Sequence, residues 1–272
     1  MTIARAYLSE NNMDAATLLK QGQLAECKAQ LFTQVKQDPS NVELRIFLFQ
    51  LSCIERDWKR ALSQLEVLKG LSDSTLALVN TYKQLIDCEA KRERVIAGDI
   101  EPTCFGEPLD WLAYYVQAYE QASAGKYQEA QTLLNNGIEL ASTSSGKVDG
   151  KAFSWLSDGD VRFGPSIEVM LNGGYYWLPF EYIKELHFEP VEDLRDLVWR
   201  PANLTLKNNG KLIVFVPVRY PIHGNTTDQQ LLSRTCDWDE PVEHFFIGNG
   251  QRVLISEDNE YPLLDITSIV FE

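Results

Sequence analysis

A six-residue pattern that returns at a 34-residue interval constrains this chain more than any other feature. GQLAEC at 22–27 is followed 34 positions later by RDWKRA at 56–61, and 69 positions after that, two periods plus one, by GKYQEA at 125–130. Each hexad offers a small or polar turn residue, a large apolar residue two positions on, and a small residue three beyond it. The triplets are Gly22, Leu24, Cys27; Arg56, Trp58, Ala61; and Gly125, Tyr127, Ala130. That is the elbow of a tetratricopeptide-like helical hairpin, in which the small residue lets two helices approach and the large one seals the turn. Pro39, preceded by Asp38, falls where such a repeat breaks before its next helix.

Apolar residues spaced at three and four predict helices over 12–21, 24–37, 41–55, 58–69, 74–97, 108–124 and 127–141. Leu44, Phe47, Leu48 and Leu51 form one apolar stripe, and Trp111, Tyr115, Ala118 and Ala122 another; both are expected to pack between stacked hairpins. Beside the first stripe, Arg45, Phe49 and Ser52 share a face that could line a concave groove for a partner helix.

The texture changes at 141–150, ASTSSGKVDG, where helical periodicity ends in small, polar and glycine residues. Beyond it come short β-prone runs. LTLKNNGKLIVFVPV reads as a hairpin turning at Asn208, Asn209 and Gly210, QRVLISEDNEYPLLDITSIVF as a second hairpin-like pair, and YYWLPF with IKELHF as a third. In YYWLPF, alternation puts Tyr175 and Trp177 on one face and Tyr176 and Leu178 on the other, so both faces need cover. FGEP at 105–108 breaks a helix and reads as a kink or tight turn, since the pattern resumes at once. The fold class expected is α+β: a tetratricopeptide-like helical domain over 1–146, then a small antiparallel β-rich, partly closed barrel-like domain over 147–272.

The net charge of −14 disfavours nucleic acid and anionic membrane as partners and favours basic protein surfaces. Five scattered cysteines form no CxxC pair, which fits buried reduced thiols. The opening MTIARAYLSENNM lacks a sustained apolar run, so a cytoplasmic location is expected, and the sequons at Asn203 and Asn225 read as chance matches.

Asp158, Asp160 and Glu168, with Arg162 among them, are the one cluster that could ligate a cation or do acid–base work. The spacing fails the calcium-loop pattern, and turn formation with an Asp–Arg pair accounts for these residues more simply. His187, His223 and His244 lie far apart, and no nucleophile elbow, P-loop or dinucleotide fingerprint occurs. In EPVEDLRDLVWRP, one helical turn with Leu194 and Leu197 inward would leave Asp193, Arg195 and Asp196 on the opposite side, as a solvated face or a clamp.

Taken in order, RIFLFQLSCIERDWKRALSQLEVL, CFGEP, VDGKAFSWLSDGDVRFGP, GGYYWLPFEYI, PVEDLRDLVWRPANLTL and VPVRYP resemble the ImpE family, the TagJ- or SciE-like accessory proteins of bacterial type VI secretion. The resemblance runs from about residue 13 to residue 255, and YYWLPFE and DLRDLVW are its most specific blocks. It implies a cytoplasmic bacterial adaptor without enzymatic activity or cofactor. Such an adaptor binds the N-terminal helix of the small contractile-sheath subunit and connects the sheath with its ClpV-type disassembly ATPase. The helix would be met by Arg45 and Phe49 if the array binds it, or by Tyr175, Tyr176 and Trp177 if the β half does, with Arg195 in a clamp. Two alternatives stand beside this: a cation-dependent or hydrolytic enzyme using Asp158, Asp160 and Glu168, and a chaperone for a secreted effector.

Overall fold

The computed structural model describes residues 13–224 and 226–272; the N-terminal stretch read for a leader, the first residue of the helix expected at 12–21, and the sequon residue Asn225 lie outside it. The periodic half forms α1 (Met13–Lys20), α2 (Leu24–Gln37), α3 (Val42–Ile54), α4 (Trp58–Leu71), α5 (Leu76–Ile96), α6 (Asp110–Ser123) and α7 (Tyr127–Leu140). Each lies within two residues of its expected range. Asn41 accepts from the Leu44 amide at 3.1 Å to start α3, and Asp57 accepts from the Arg60 amide at 3.0 Å to start α4. Helices α1 and α2, α3 and α4, and α6 and α7 pack as neighbours. At their elbows Cys27, Ala61 and Ala130 are fully buried, as the small position of the hexad requires. Gly22 and Gly125 turn with φ of +77° and +75°, and Arg56 takes the same left-handed conformation at φ +58° in the middle elbow.

Between α5 and α6 the chain makes β1 (Thr103–Cys104), which sequence periodicity does not announce. The later strands are β2 (Gly146–Val148), β3 (Lys151–Phe153), β4 (Ser157–Asp158), β5 (Ser166–Leu171), β6 (Gly174–Pro179), β7 (Ile183–Phe188), β8 (Trp199–Leu206) and β9 (Lys211–Pro217). After the short helix α8 (Asp228–Leu231) come β10 (Cys236–Asp239), β11 (Ile247–Gly250), β12 (Val253–Ile255), β13 (Glu260–Pro262) and β14 (Ser268–Phe271). Nine of them form one sheet in the order β1-β6-β5-β9-β8-β7-β14-β2-β3, while β10-β11 and β13-β12-β4 form two small ones.

The expected partial barrel does not form. The large sheet is open, with β1 and β3 as its two edges. The hairpin around Asn208–Gly210 is present, with Leu204 opposite Leu212 and Asn209 at φ +65°, and β12 pairs with β13. The third expected pairing is wrong: β6 pairs with β5 and β1, and β7 lies between β8 and β14. The cause is local, because Pro179 ends β6 and a 3₁₀ turn at Phe180–Tyr182 redirects the chain before β7 begins.

Two cores follow from the sheet's two faces. Met170, Tyr175, Trp177 and Trp199 join the buried helix residues in one continuous cluster, whereas Ile167, Val169, Leu178, Leu204 and Ile269 form a second on the other face. The alternation expected for YYWLPF is therefore realised, and its first face is the floor on which the helices sit. The shared apolar cluster makes helices and sheet parts of one packed body. No helix among the described residues is long and apolar enough to cross a membrane.

Candidate functional site

The seam between helices and sheet carries a chain of buried charges. Glu168, fully buried on β5, receives two hydrogen bonds from Arg92 of α5, Nε to Oε1 at 2.7 Å and Nη2 to Oε2 at 2.9 Å. Tyr175 donates its hydroxyl to Glu168 at 2.5 Å and accepts from the Trp177 indole at 2.8 Å. Arg252, also fully buried, bridges Glu168 to Asp158, and its guanidinium lies 4.8 Å from the Phe163 ring centroid. Asp158 accepts further from the Tyr220 hydroxyl at 2.7 Å and the Asp160 amide at 2.9 Å. Asp160 turns to Arg162, whose Nε and Nη2 approach at 2.8 and 2.6 Å. On the helical side Glu89 accepts from the Trp199 indole at 2.9 Å.

These contacts set the electrostatics. Burial pushes the Asp158 carboxyl up to about 6 against the opposing pull of Arg252. Burial also acts upward on Glu168, but Arg92 and Arg252 outweigh it and hold the carboxyl down at about 2. Burial, followed by the Glu168 charge, drives the Tyr175 hydroxyl far above its ordinary range. Asp158, Asp160 and Glu168, all buried, thus spend their oxygens on arginines, two tyrosines and backbone amides. Among the described residues no group of three or more His, Cys, Asp or Glu could hold a metal. His187, His223 and His244 stand apart, each beside its own carboxylate.

The residues singled out for partner binding mostly face inward. Phe49 is fully buried and packs edge-on to Tyr82 with centroids 5.6 Å apart, so it lines no groove, and Ser52 beside it is buried too. Half-buried Arg45 ties its own helix to its surroundings, donating to the Pro39 carbonyl at 2.9 Å and to Gln64 at 3.0 Å. Tyr175 and Trp177 are buried in the seam, and Tyr176 lies on the opposite face with its ring edge-on to Phe105. The turn at Leu194–Leu197 reverses the expected polarity: Arg195 and Asp196 are buried. Arg195 stacks 4.5 Å from the Tyr82 ring centroid and donates to Asp193 at 2.8 Å, because the aromatic face and the capping carboxylate satisfy it internally. Arg92, Tyr220 and Arg252 complete the seam from a distance in sequence, 76 residues from Glu168, 62 from Asp158, and 84 and 94 from Glu168 and Asp158.

Next to the seam opens a cleft of about 620 Å³ between α7 and the sheet-rich half. Leu134, Ile138, Trp155, Val161, Phe245 and Ile255 form much of its wall, with Ser142, Thr143 and Ser144 completing it. Tyr115 contributes to the floor, held where a Cβ on Gly164 or Gly137 would meet its ring at 2.2 or 2.9 Å. Ile138 and Trp155 remain 49% and 38% exposed, unusual for large apolar side chains beside a cavity.

Matches to known proteins include the following. The family model described as ImpE protein matches residues 150–270. A Pseudomonas aeruginosa PAO1 protein described as type VI secretion system accessory component TagJ is 40% identical over 266 residues, covering 96% of this chain and 92% of that protein. The crystal structure of protein VPA1032 from Vibrio parahaemolyticus superposes with a TM-score of 0.86 at 23% identity, covering 95% of this chain and 97% of that one, and is similar in fold.

Proposed function

This chain belongs to the ImpE family, and on that premise we propose that it is an accessory component of type VI secretion that acts by binding protein, without chemistry of its own. The observation that carries this reading is the near full-length identity to a protein described as such a component. The seam supports the non-enzymatic part, because the carboxylates best suited to catalysis are committed to arginines.

In finer detail, the protein binds the N-terminal helix of the small sheath subunit in the bacterial cytoplasm and links the sheath to its ClpV-type ATPase. A tetratricopeptide-like array packed on the β-rich half suits that task, since stacked hairpins present surface and no reactive groups. Of the six side chains first considered for the contact, the exposure of Arg45 and Tyr176 is compatible with a peripheral part.

Titration of the purified chain with a synthetic peptide of that sheath helix, and with a proline-broken version of it, tests the proposal. Saturable binding that the proline abolishes is the expected result. A folded protein that ignores both peptides refutes the sheath reading and moves the ATPase or an effector to the front.

A further inference from the structure

We infer that the cleft beside α7 is the seat of an amphipathic partner helix that carries lysine or arginine along the borders of its apolar face. This rests on the protein-binding reading above and adds to it a place and a chemistry.

The argument begins with what the cleft leaves unfinished. Ile138 and Trp155 stand at its mouth half in water, and Phe246, next to the wall residue Phe245, is 37% exposed. Large apolar groups gathered around a concavity mark a surface completed by a partner. Elsewhere Phe49, Trp177, Trp199 and Phe163 are sealed, although Trp238 on β10 is also 39% exposed.

The wall selects the form of the occupant. One side is the C-terminal half of α7, whose ridges suit the groove of another helix. The other side includes β4, but its Asp158 amide is already donated to the Gly164 carbonyl at 2.8 Å and β4 is paired to β12, so a peptide strand finds little edge to extend. A helix presenting apolar residues at i, i+3, i+4 and i+7 needs no backbone partner and fills such a trough with side chains alone.

Charge selects its composition. No lysine or arginine lines the cleft. Its acid, Asp158, is sealed by Arg252, its histidine, His244, stands beside Glu243, and exposed glutamates adjoin its wall residues. Glu139 lies between Ile138 and Leu140 on α7; the Glu243 carbonyl accepts from the wall residue Gln131 at 2.7 Å; and Glu257 accepts from Ser154, next to Trp155. Basic residues flanking the apolar stripe of an incoming helix would meet this acidic border and be steered to it.

The test uses the full chain and two probes: the sheath-helix peptide, and a designed leucine–lysine amphipathic helix with a leucine–glutamate counterpart as its control. Ile138→Glu and Trp155→Ala change half-exposed side chains, and Ile213→Glu, at a 66% exposed position on β9, is the control substitution away from the cleft. Circular dichroism establishes folding of all three. A tenfold or greater loss of sheath-peptide affinity in both cleft variants, with Ile213→Glu unchanged, is the expected result. Affinity that survives both cleft substitutions overturns the cleft while leaving the sheath reading intact. If the sheath peptide fails but the leucine–lysine helix binds in a cleft-dependent manner and the leucine–glutamate helix does not, the cleft stands and the sheath reading falls. Binding of neither probe, or leucine–lysine binding indifferent to the cleft substitutions, overturns the inference.

Discussion

Replacing Arg252 with methionine removes the most connected charge of the seam while keeping roughly its length. Arg252 faces Asp158 and Glu168 at once, stacks near Phe163 and Tyr220, and has no exposure. Glu168 keeps both Arg92 contacts and the Tyr175 hydroxyl, so the damage concentrates on Asp158, which retains only Tyr220 and the Asp160 amide. Stranding a buried charge in this way costs about 3–5 kcal/mol. A chain of this size then loses on the order of 10 °C in melting temperature. The cost should fall with pH, because Asp158 already titrates near about 6 with Arg252 in place and without its guanidinium will accept a proton more readily. Urea unfolding of wild type, Arg252→Met, Asp158→Asn and the double variant at pH 8 and pH 5 measures this. The double variant should be more stable than the sum of single losses implies, by roughly 1–2 kcal/mol. A loss below about 1 kcal/mol at pH 8, or one equal at both pH values, would refute the account of the seam as a charge-compensated unit.

Two further outcomes follow from the same geometry. The folded Asp158 carboxyl lies at about 6 against 3.8 for an ordinary one, so the folded state takes up the proton first. This group therefore costs stability above pH 6 and gives back about 3 kcal/mol as pH falls from 6 towards 4. Glu168 acts oppositely, its contribution being present above about 4.5 and lost as pH falls towards 2. Asp158→Asn should flatten the pH dependence between 4 and 6 specifically, and an unchanged slope by denaturant titration speaks against it. Gly164→Ala places a Cβ 2.2 Å from the buried Tyr115 ring at a residue with φ +56°, so a loss of roughly 2–4 kcal/mol is expected from strain and overpacking together. Because Tyr115 helps form the cleft floor, helix-peptide affinity measured on the folded variant should fall too; retention of both stability and affinity contradicts the packing described.

Helices were legible because their signal is local. The hexads fix the elbows, and the three-and-four spacing in α2 through α7 gives boundaries within two residues of those observed. Strand faces were legible for the same reason: alternation alone orients Tyr175 and Trp177 away from Leu178. Strand order was not, because pairing joins distant segments; β1 has two residues and no period, and the turn after Pro179 that parts β6 from β7 does not announce which strands each will join. The carboxylate cluster was visible, and its nearest cation Arg162 does pair with Asp160, but Arg92 and Arg252 come from other elements. Phe49 misled for a related reason: it stands beside a core stripe, and only the arrival of Tyr82 from another helix encloses it. The cleft lay beyond any single-segment reading, since its walls come from α7, the 155–165 region and 244–255.

The long reach of the seam matters while the protein is being made. Arg92 leaves the ribosome 76 residues ahead of Glu168, Glu89 precedes Trp199 by 110, and the carbonyl of Ile54 waits 165 residues for the Arg219 guanidinium. At translation speeds of about 5–20 residues per second, the Arg92 side chain spends roughly 4–15 s with its cradle unmade. Over that interval Tyr82, and later Trp111 and Tyr119 of α6, lack the sheet residues that bury them in the finished fold. The last-made residues seal the first-made ones, so a chain that has not yet reached Arg252 holds Asp158 and Glu168 without the guanidinium they share.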